Sequence, residues 1–327
     1  MSDARRDVLA QALREIRELK LGKAAAEARA RAPIAVVGLG CRLPGADDPA
    51  ALWRLLCAGT DATREVPPGR WTDEPPGIYT RRGGWLDAVD GFDARFFGIS
   101  PREARTLDPQ QRLFLEVAWE SLEHAAIAPE RLRDSRTGVW CGVTQVDYTQ
   151  LLAAHALAEQ VDLTHAGTGT ALNFAAGRVA RLLDLRGPAI AVDTACSSSL
   201  LAVHLAIAAL RGGAVDLALA GGVNLILHPA GHLVLCRSRV LARDGRCRTF
   251  DAAADGYARG EGCGVVVLAR LDDARRAGHR VLAVLRGSAA NHDGASAGLT
   301  VPSGRAQAEV ITAACVDAGV DAGGGDH

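Results

Sequence analysis

The chain opens on a helical period. Leu9, Ala12, Ile16 and Leu19 recur at spacings of three and four residues, one stripe along a helix. Arg14 and Glu18 stand four apart and can pair across a turn. Residues 1–32 contain no Pro and are rich in Ala, Arg, Glu and Leu, so they predict a helical leader lying mostly in water. Two heptads fall short of the three or four that define a coiled coil. A short helix docking onto an upstream subunit is the alternative. From Pro33 onward strand and helix patterns alternate. Ile34-Ala35-Val36-Val37-Gly38 predicts a buried strand, and residues 60–100, with Pro67, Pro68, Pro75 and Pro76, predict loops. A helix is expected from Asp108, with Asp108 as its cap, Pro109 in the first turn and Gln111 closing a capping box. Leu113, Val117 and Leu122 give that helix a buried face.

Further along, Gly138–Val143 predicts a strand, Ala171–Leu183 a helix, Ala189–Val192 a strand, residues 195–211 a helix, and Asp216–Ala220 a strand. Val265–Leu268 and Val281–Leu285 are expected to form a strand pair. Ser303 caps a last helix reaching Cys315 or Ala318, which Gly319 ends. Strands alternating with helices predict an α/β architecture around a mainly parallel sheet. The last helix runs into Asp321-Ala322-Gly323-Gly324-Gly325-Asp326-His327 with no returning strand, so the pattern reads as an unfinished fold.

Composition narrows the classes. Among 327 residues, 48% are hydrophobic and 23% charged, which excludes global disorder. The 37 basic and 38 acidic side chains nearly cancel, so the totals carry no electrostatic signature of nucleic-acid binding. Aromatics make up only 4%, leaving the core to Ala, Val and Leu. None of the eight cysteines forms a Cys-x-x-Cys pair, so neither a zinc site nor a redox motif is indicated. Charged residues follow Met1 where a secretion signal would be apolar, and no stretch is long enough to span a bilayer. A reduced, cytoplasmic protein without membrane association is expected.

One segment carries chemistry. In Ala189-Ile190-Ala191-Val192-Asp193-Thr194-Ala195-Cys196-Ser197-Ser198-Ser199-Leu200, a buried strand feeds a helix through a turn too short for a loop. Cys196 falls in the first turn, where free N–H groups and the positive end of the helix dipole favour a thiolate. Those N–H groups can also hold the oxyanion formed when a thioester is attacked. Ala195, Ser197 and Ser198 leave room for an acyl chain. The helix beyond is apolar nearly all round, which predicts burial at the domain centre. His204 lies eight residues along it, roughly 12 Å up the axis, and is expected to be a satisfied core histidine and no base for Cys196. Cys57, Cys141, Cys263 and Cys315 read as inert buried thiols.

Asp193-Thr194-Ala195-Cys196-Ser197-Ser198-Ser199-Leu200 resembles the active-site signature of type I polyketide β-ketoacyl synthases. The likeness extends to Pro33–Gly45, to Asp108-Pro109-Gln110-Gln111-Arg112 with Leu115–Glu120, and to Ala220-Gly221-Gly222-Val223. Asp244-Gly245-Arg246-Cys247, Ala254-Asp255-Gly256, Gly260-Glu261-Gly262 and Asn291-His292-Asp293-Gly294 continue it in family order. The resemblance implies a layered α-β-α-β-α thiolase-like fold, incomplete in its C-terminal half, with residues 1–32 as leader and 33–327 as the ketosynthase portion. It also implies a homodimer. Cys196 would accept an acyl chain from the phosphopantetheine arm of an acyl carrier protein, with no cofactor or metal of its own. A malonyl-type extender would then lose CO2 and attack the Cys196 thioester. Relatives that only decarboxylate carry Gln in this position, so Cys points to the condensing type. Thr300 in Gly298-Leu299-Thr300-Val301-Pro302 resembles part of a loop near the acyl pocket.

Other motifs carry less. No His-Gly-Thr-Gly-Thr motif occurs, although the family's decarboxylation uses a histidine there, a second histidine and a lysine. Gly167-Thr168-Gly169-Thr170 precedes Cys196 and is not that motif, His292 stands where relatives commonly have Gln and reads as a loop residue, and His327 has no motif around it. Condensation by this polypeptide alone is therefore not expected. Gly38-Leu39-Gly40 lacks the third glycine of a dinucleotide-binding turn, having Leu43 there. Asp147, Asp162, Asp193 and Glu261 read as structural carboxylates. A dimerisation or docking piece without catalysis, and a fatty-acid-type condensing enzyme, are the competing readings.

Overall fold

The computed structural model describes residues 3–71, 74–159 and 162–321. In chain order the elements are α1 (Asp3–Ala30), β1 (Ile34–Arg42), α2 (Pro49–Cys57), β2 (Thr63–Glu65), β3 (Arg82–Gly84), α3 (Pro101–Thr106) and α4 (Pro109–His124). There follow β4 (Thr137–Gly142), α5 (Asp147–Glu159), α6 (Ala166–Thr170), α7 (Phe174–Leu182), β5 (Ala189–Val192) and α8 (Ser198–Arg211). The last are β6 (Leu217–Asn224), α9 (Pro229–Arg237), β7 (Gly262–Arg270), α10 (Leu271–Arg276), β8 (Ala283–Leu285) and α11 (Gly304–Ala318).

Six strands form one sheet in the order β5-β4-β6-β7-β1-β8. β4 pairs in parallel with β5 and β6, while β7 is antiparallel to both β6 and β1, and β1 is antiparallel to β8. The sheet is therefore mixed, not mainly parallel. β6 leads to β7 through residues 225–261, which include α9, and the two strands nevertheless run antiparallel, so this long connection reverses the chain. The expected pairing of Val265–Leu268 with Val281–Leu285 does not occur. Both segments are strands, but β1 lies between them, because its apolar run is long enough to be paired on both edges.

Period-two alternation in the strands gives the sheet two apolar faces. Val139, Cys141, Leu219, Val265 and Val267 face α4 and α7, together with Phe114, Val117, Leu122 and Val179. Trp140, Ala218, Ala220 and Leu268 face α8, where Ala202, Ala206, Ile207 and Leu210 cover them. Helix, sheet and helix make three of the five layers that the resemblance implies. α8 is not enclosed all round as expected. The sheet covers one side, while Leu200 on the other is 75% exposed and Leu205 is also exposed. The leader helix α1 is in water, with Ile16 and Leu19 uncovered. Among its described residues Lys23 pairs with Glu27, and Arg14 does not pair with Glu18. Leu9's side chain and His327 lie outside the described residues.

Asp108 does cap α4, accepting from the Gln110 N–H at 2.8 Å, with Pro109 in the first turn. The capping box with Gln111 does not form. Gln111 Nε2 donates instead to the carbonyls of Gly169 and Ala171, and the Asp108 N–H donates to the Gly169 carbonyl. Gly167-Thr168-Gly169-Thr170 thus serves as a packing and acceptor site for α4. Desolvation pushes the Asp108 carboxyl up to about 6 from its ordinary 3.8. An acid with a raised folded-state pKa holds a proton longer folded than unfolded. Its stabilising share is full below about pH 4 and is lost as pH rises toward 6. We expect Asp108→Asn, which keeps an Ncap oxygen, to remove a fall of ~3 kcal/mol across that window. Urea unfolding at pH 4 and pH 7 checks this; equal slopes in both proteins would contradict it.

At the C-terminal end Ser303 accepts from the Ala306 N–H, and Gly319 takes the left-handed conformation that ends α11, both as the sequence indicated. Arg211 of α8 pairs with Asp317 of α11 at 2.7 Å.

Candidate active site

β5 delivers the chain to Asp193, and α8 begins at Ser198. Between them Ala195–Ser197 forms a single 3₁₀ turn with Cys196 at its centre. The bend is made by Ala195, whose φ of 54° lies in the left-handed region. Local hydrogen bonds fix it. Asp193 Oδ1 accepts from the Ala195 N–H at 3.1 Å and from Thr144 Oγ1 at 3.0 Å. Ser198 Oγ donates to the Ala195 carbonyl at 2.7 Å and accepts from the Thr194 N–H at 2.9 Å. The turn's bonds use the N–H groups of Thr194, Ala195, Ser197 and Ser198, and the Cys196 N–H takes part in none of them.

Two glycines set the helix tip against the sheet. A Cβ on Gly142 of β4 would stand 2.6 Å from the Ser199 nitrogen, and one on Gly222 of β6 would stand 2.8 Å from Ser199 Cβ. Only glycine lets the two strands approach the first turn of α8 so closely.

The Ala195 strain makes a prediction. A left-handed non-glycine residue costs about 1–2 kcal/mol, part of which glycine's extra unfolded-state entropy offsets. Ala195→Gly should raise stability by ~0.5 kcal/mol in denaturant unfolding. A loss of more than ~1 kcal/mol would mean that the Ala195 methyl is needed for packing.

Cys196 opens onto a cavity of about 750 Å³. Leu200, Val203 and Leu235 give it apolar wall, and Thr144, Tyr257 and Arg259 give it polar wall. Of the residues singled out from sequence, Ala195, Cys196, Ser198 and Glu261 line this cavity. Ser197 does not. Its hydroxyl turns back onto the Thr194 carbonyl and hydroxyl, because the turn leaves that carbonyl within reach. Thr300 is an exposed residue of the loop before α11 and is not part of the lining. No histidine lines the cavity among the described residues. His204 bonds Ser288 Oγ at 2.9 Å, and His292 accepts from the Gly294 N–H.

The other thiols differ in setting. Cys141 and Cys263 are fully buried, and desolvation pushes both thiols up, away from the reactive thiolate. Cys57, expected to be buried, is exposed at the end of α2, whose apolar positions cover too little surface to enclose it, and Cys315 is half-buried. All eight cysteines are free. No group of acidic, histidine or cysteine side chains among the described residues is arranged to hold a metal ion.

The carboxylates weighed in the sequence are committed to structure. Asp147 accepts from the N–H groups of Leu227 and His228, Asp162 from Thr164, and Glu261 from Leu86 and Ile226. Sequence reasoning did not single out Gln145, Tyr257 or Arg259, all of which line the cavity. The available signal was a polar Tyr257-Ala258-Arg259 run between two glycine turns directly before a buried strand.

Comparison with known proteins agrees with this geometry. Residues 31–274 match the family model described as "Beta-ketoacyl synthase, N-terminal domain", and residues 282–324 match "Beta-ketoacyl synthase, C-terminal domain". The chain belongs to the β-ketoacyl synthase family. Among curated relatives, a phenolphthiocerol/phthiocerol polyketide synthase subunit of Mycobacterium tuberculosis is 49% identical over 322 residues, covering 95% of this chain and 15% of that protein. The phenolphthiocerol synthesis polyketide synthase type I Pks15/1 of Mycobacterium bovis is 52% identical over 311 residues, covering 90% of this chain and 14% of that protein. Among solved structures, an oxazolomycin ketosynthase domain of Streptomyces albus JA3453 superposes with a TM-score of 0.82 at 43% identity. It covers 88% of this chain and 52% of that one. The ketosynthase from module 6 of the bacillaene synthase of Bacillus subtilis 168 gives 0.80 at 35% identity, covering 88% and 49%. The ketosynthase chain here thus spans about half the length of these structures. Its fold is the thiolase-like one of polyketide ketosynthases. No helix among the described residues is long and apolar enough to cross a membrane.

Proposed function

We propose that Cys196 is the acyl-accepting nucleophile of a polyketide synthase ketosynthase. The observation that carries this is the place of its sulfur: exposed, on a bent turn at the mouth of α8, opening onto the 750 Å³ cavity. In the reaction, the Cys196 thiolate attacks the carbonyl of an acyl group carried on the phosphopantetheine arm of an acyl carrier protein. A tetrahedral oxyanion forms and is stabilised by the unengaged Cys196 N–H. It collapses with loss of the carrier thiolate, which takes up a proton, leaving the acyl group as a Cys196 thioester. In the full-length domain, a malonyl-type extender then loses CO2, its carbanion forms a C–C bond with that thioester carbonyl, and the Cys196 sulfur leaves. The outcome is a β-ketoacyl thioester on the carrier. A homodimer, and docking of an upstream subunit on residues 1–32, complete the reading.

The cavity wall holds no histidine among the described residues, and the sequence contains no His-Gly-Thr-Gly-Thr motif. This polypeptide by itself is therefore assigned acyl loading and not condensation. Incubation of the purified chain with a propionyl N-acetylcysteamine thioester should add one propionyl group, mapped by peptide mass spectrometry to Cys196. Subsequent malonyl thioester should yield no β-ketoacyl product. Product formation at enzymatic rates would overturn the second half of this assignment, and an adduct elsewhere would overturn the first.

A further inference from the structure

The cavity contains a cation with nothing to hold it. Arg259 lies in the segment between Tyr257 and β7 and is only 7% exposed. It lines the same cavity as Cys196. Its Nη1 is buried without a hydrogen-bond partner, and its guanidinium makes no ion pair with any described residue. Burial pushes it below its ordinary range, the response of a charge that has lost water and gained too little in return.

The neighbouring carboxylates do not satisfy it. Asp147 and Glu261 act on Arg259 through their charge, yet both are engaged elsewhere. Asp147 Oδ2 faces the amides of Leu227 and His228, and Glu261 faces Arg70 and two amides. On the side of Gly231, whose added Cβ would stand 3.8 Å from Arg259 Nη1 and 3.9 Å from Gln145 Oε1, no charged partner is offered. Taking a cation out of water without a partner costs several kcal/mol, and such a charge persists where a ligand completes it.

We propose that Arg259 is the anion subsite of the Cys196 cavity and receives the free carboxylate of a malonyl-type extender thioester. The proposal rests on the acyl-transfer reading above. The chemistry selects this anion. The extender's carboxylate is attached to the carbon that must reach the Cys196 thioester, so it has to enter the same cavity. The phosphodiester of the carrier arm is separated from the reacting sulfur by the whole pantetheine chain. Contact with a guanidinium stabilises the carboxylate before CO2 leaves, so Arg259 acts on binding and orientation of the extender, not on C–C cleavage. A fork of N–H donors suits a carboxylate better than a point charge does.

The test reads the local field through the cysteine itself. Iodoacetate and iodoacetamide alkylate a thiolate by the same displacement of iodide, but only the first is an anion. Their rates at Cys196 are compared with those at Cys57, an exposed thiol of the same chain, by peptide mass spectrometry at low ionic strength. We expect the anion-to-neutral rate ratio at Cys196 to exceed that at Cys57 by about tenfold. Arg259→Lys should retain most of that preference and Arg259→Met should lose it. In the unmodified protein, malonate should protect Cys196 from iodoacetate, whereas malonamide at equal ionic strength should not. This second measurement stands even if Arg259→Met fails to fold. An equal ratio at both cysteines, a preference that survives in folded Arg259→Met, or absence of protection by malonate would overturn the subsite. A Cys196 inert to both reagents and to acyl thioesters would instead overturn the acyl-transfer reading, and the subsite with it.

Discussion

Cys196→Ala should remove the acyl adduct completely, with the rate of thioester cleavage by the chain falling at least ~10³-fold to the uncatalysed background. The size follows from the chemistry. Carbon cannot replace sulfur as nucleophile, and no second nucleophile shares the turn geometry, since the Ser197 hydroxyl is engaged by Thr194. Cys196→Ser should keep only a trace of loading, because a hydroxyl is far less ionised than a thiol near neutral pH and the cavity wall offers no histidine to take its proton. Stability should hardly change in either variant. The side chain is exposed, and surface substitutions away from caps and buried networks stay within about 0.5 kcal/mol. That separation makes the test clean: loading vanishes while the denaturation midpoint stays. Cys57→Ala, at the exposed thiol used as reference, should leave loading as it was. Persistence of a propionyl adduct in Cys196→Ala would place the nucleophile elsewhere and remove the main support for the proposed chemistry.

The turn that presents Cys196 was legible because three local signals coincide: an apolar run of strand, no room for a loop, and an apolar helix after small residues; the strand itself, expected to be buried, is an edge strand with Ile190 exposed. Each is a short-range property, and local patterns specify local geometry well. The caps at Asp108, Ser303 and Gly319 were readable for the same reason. Sheet direction was not. β7 runs antiparallel to β6 and β1, and nothing within its sequence states which strands will flank it. The role of Gln111 was misjudged because its partners, the Gly169 and Ala171 carbonyls, lie nearly 60 residues away. Burial of α8 was overestimated on similar grounds. An apolar helix surface announces that it needs covering, but not whether the cover is in the same stretch of chain, and Leu200 remains exposed here. Arg259 escaped notice since a lone arginine beside two glycines looks like surface until the fold buries it.

The largest expected loss of stability lies at the other end of that same segment. Glu261 has a fully buried side chain, and its partner Arg70 is only 6% exposed. The carboxylate receives Arg70 on Oε1 together with the Ile226 N–H at 2.9 Å, and the Leu86 N–H at 2.9 Å on Oε2. Arg70 also donates to the Leu86 carbonyl at 3.0 Å. One buried acid thereby fastens the loop around Arg70 and Leu86, the chain leaving β6 at Ile226, and the start of β7. Exposed pairs such as Arg186–Asp134 are each expected to contribute at most ~1 kcal/mol. Glu261→Ala strands a buried guanidinium and two buried amides, a change that costs about 3–5 kcal/mol. For a chain of this size we expect a fall in Tm of roughly 4–7 °C. Glu261→Gln keeps an acceptor oxygen and the volume, so it should lose about half as much. The double variant Glu261→Leu with Arg70→Met removes both charges together and should recover most of the loss, as paired removal of a buried ion pair commonly does. Thermal unfolding of the parent, Glu261→Leu, Arg70→Met and the double variant, combined as a double-mutant cycle, gives the coupling directly. A coupling near zero, or a Glu261→Ala protein as stable as the parent, would show that the three segments are held by their apolar contacts alone.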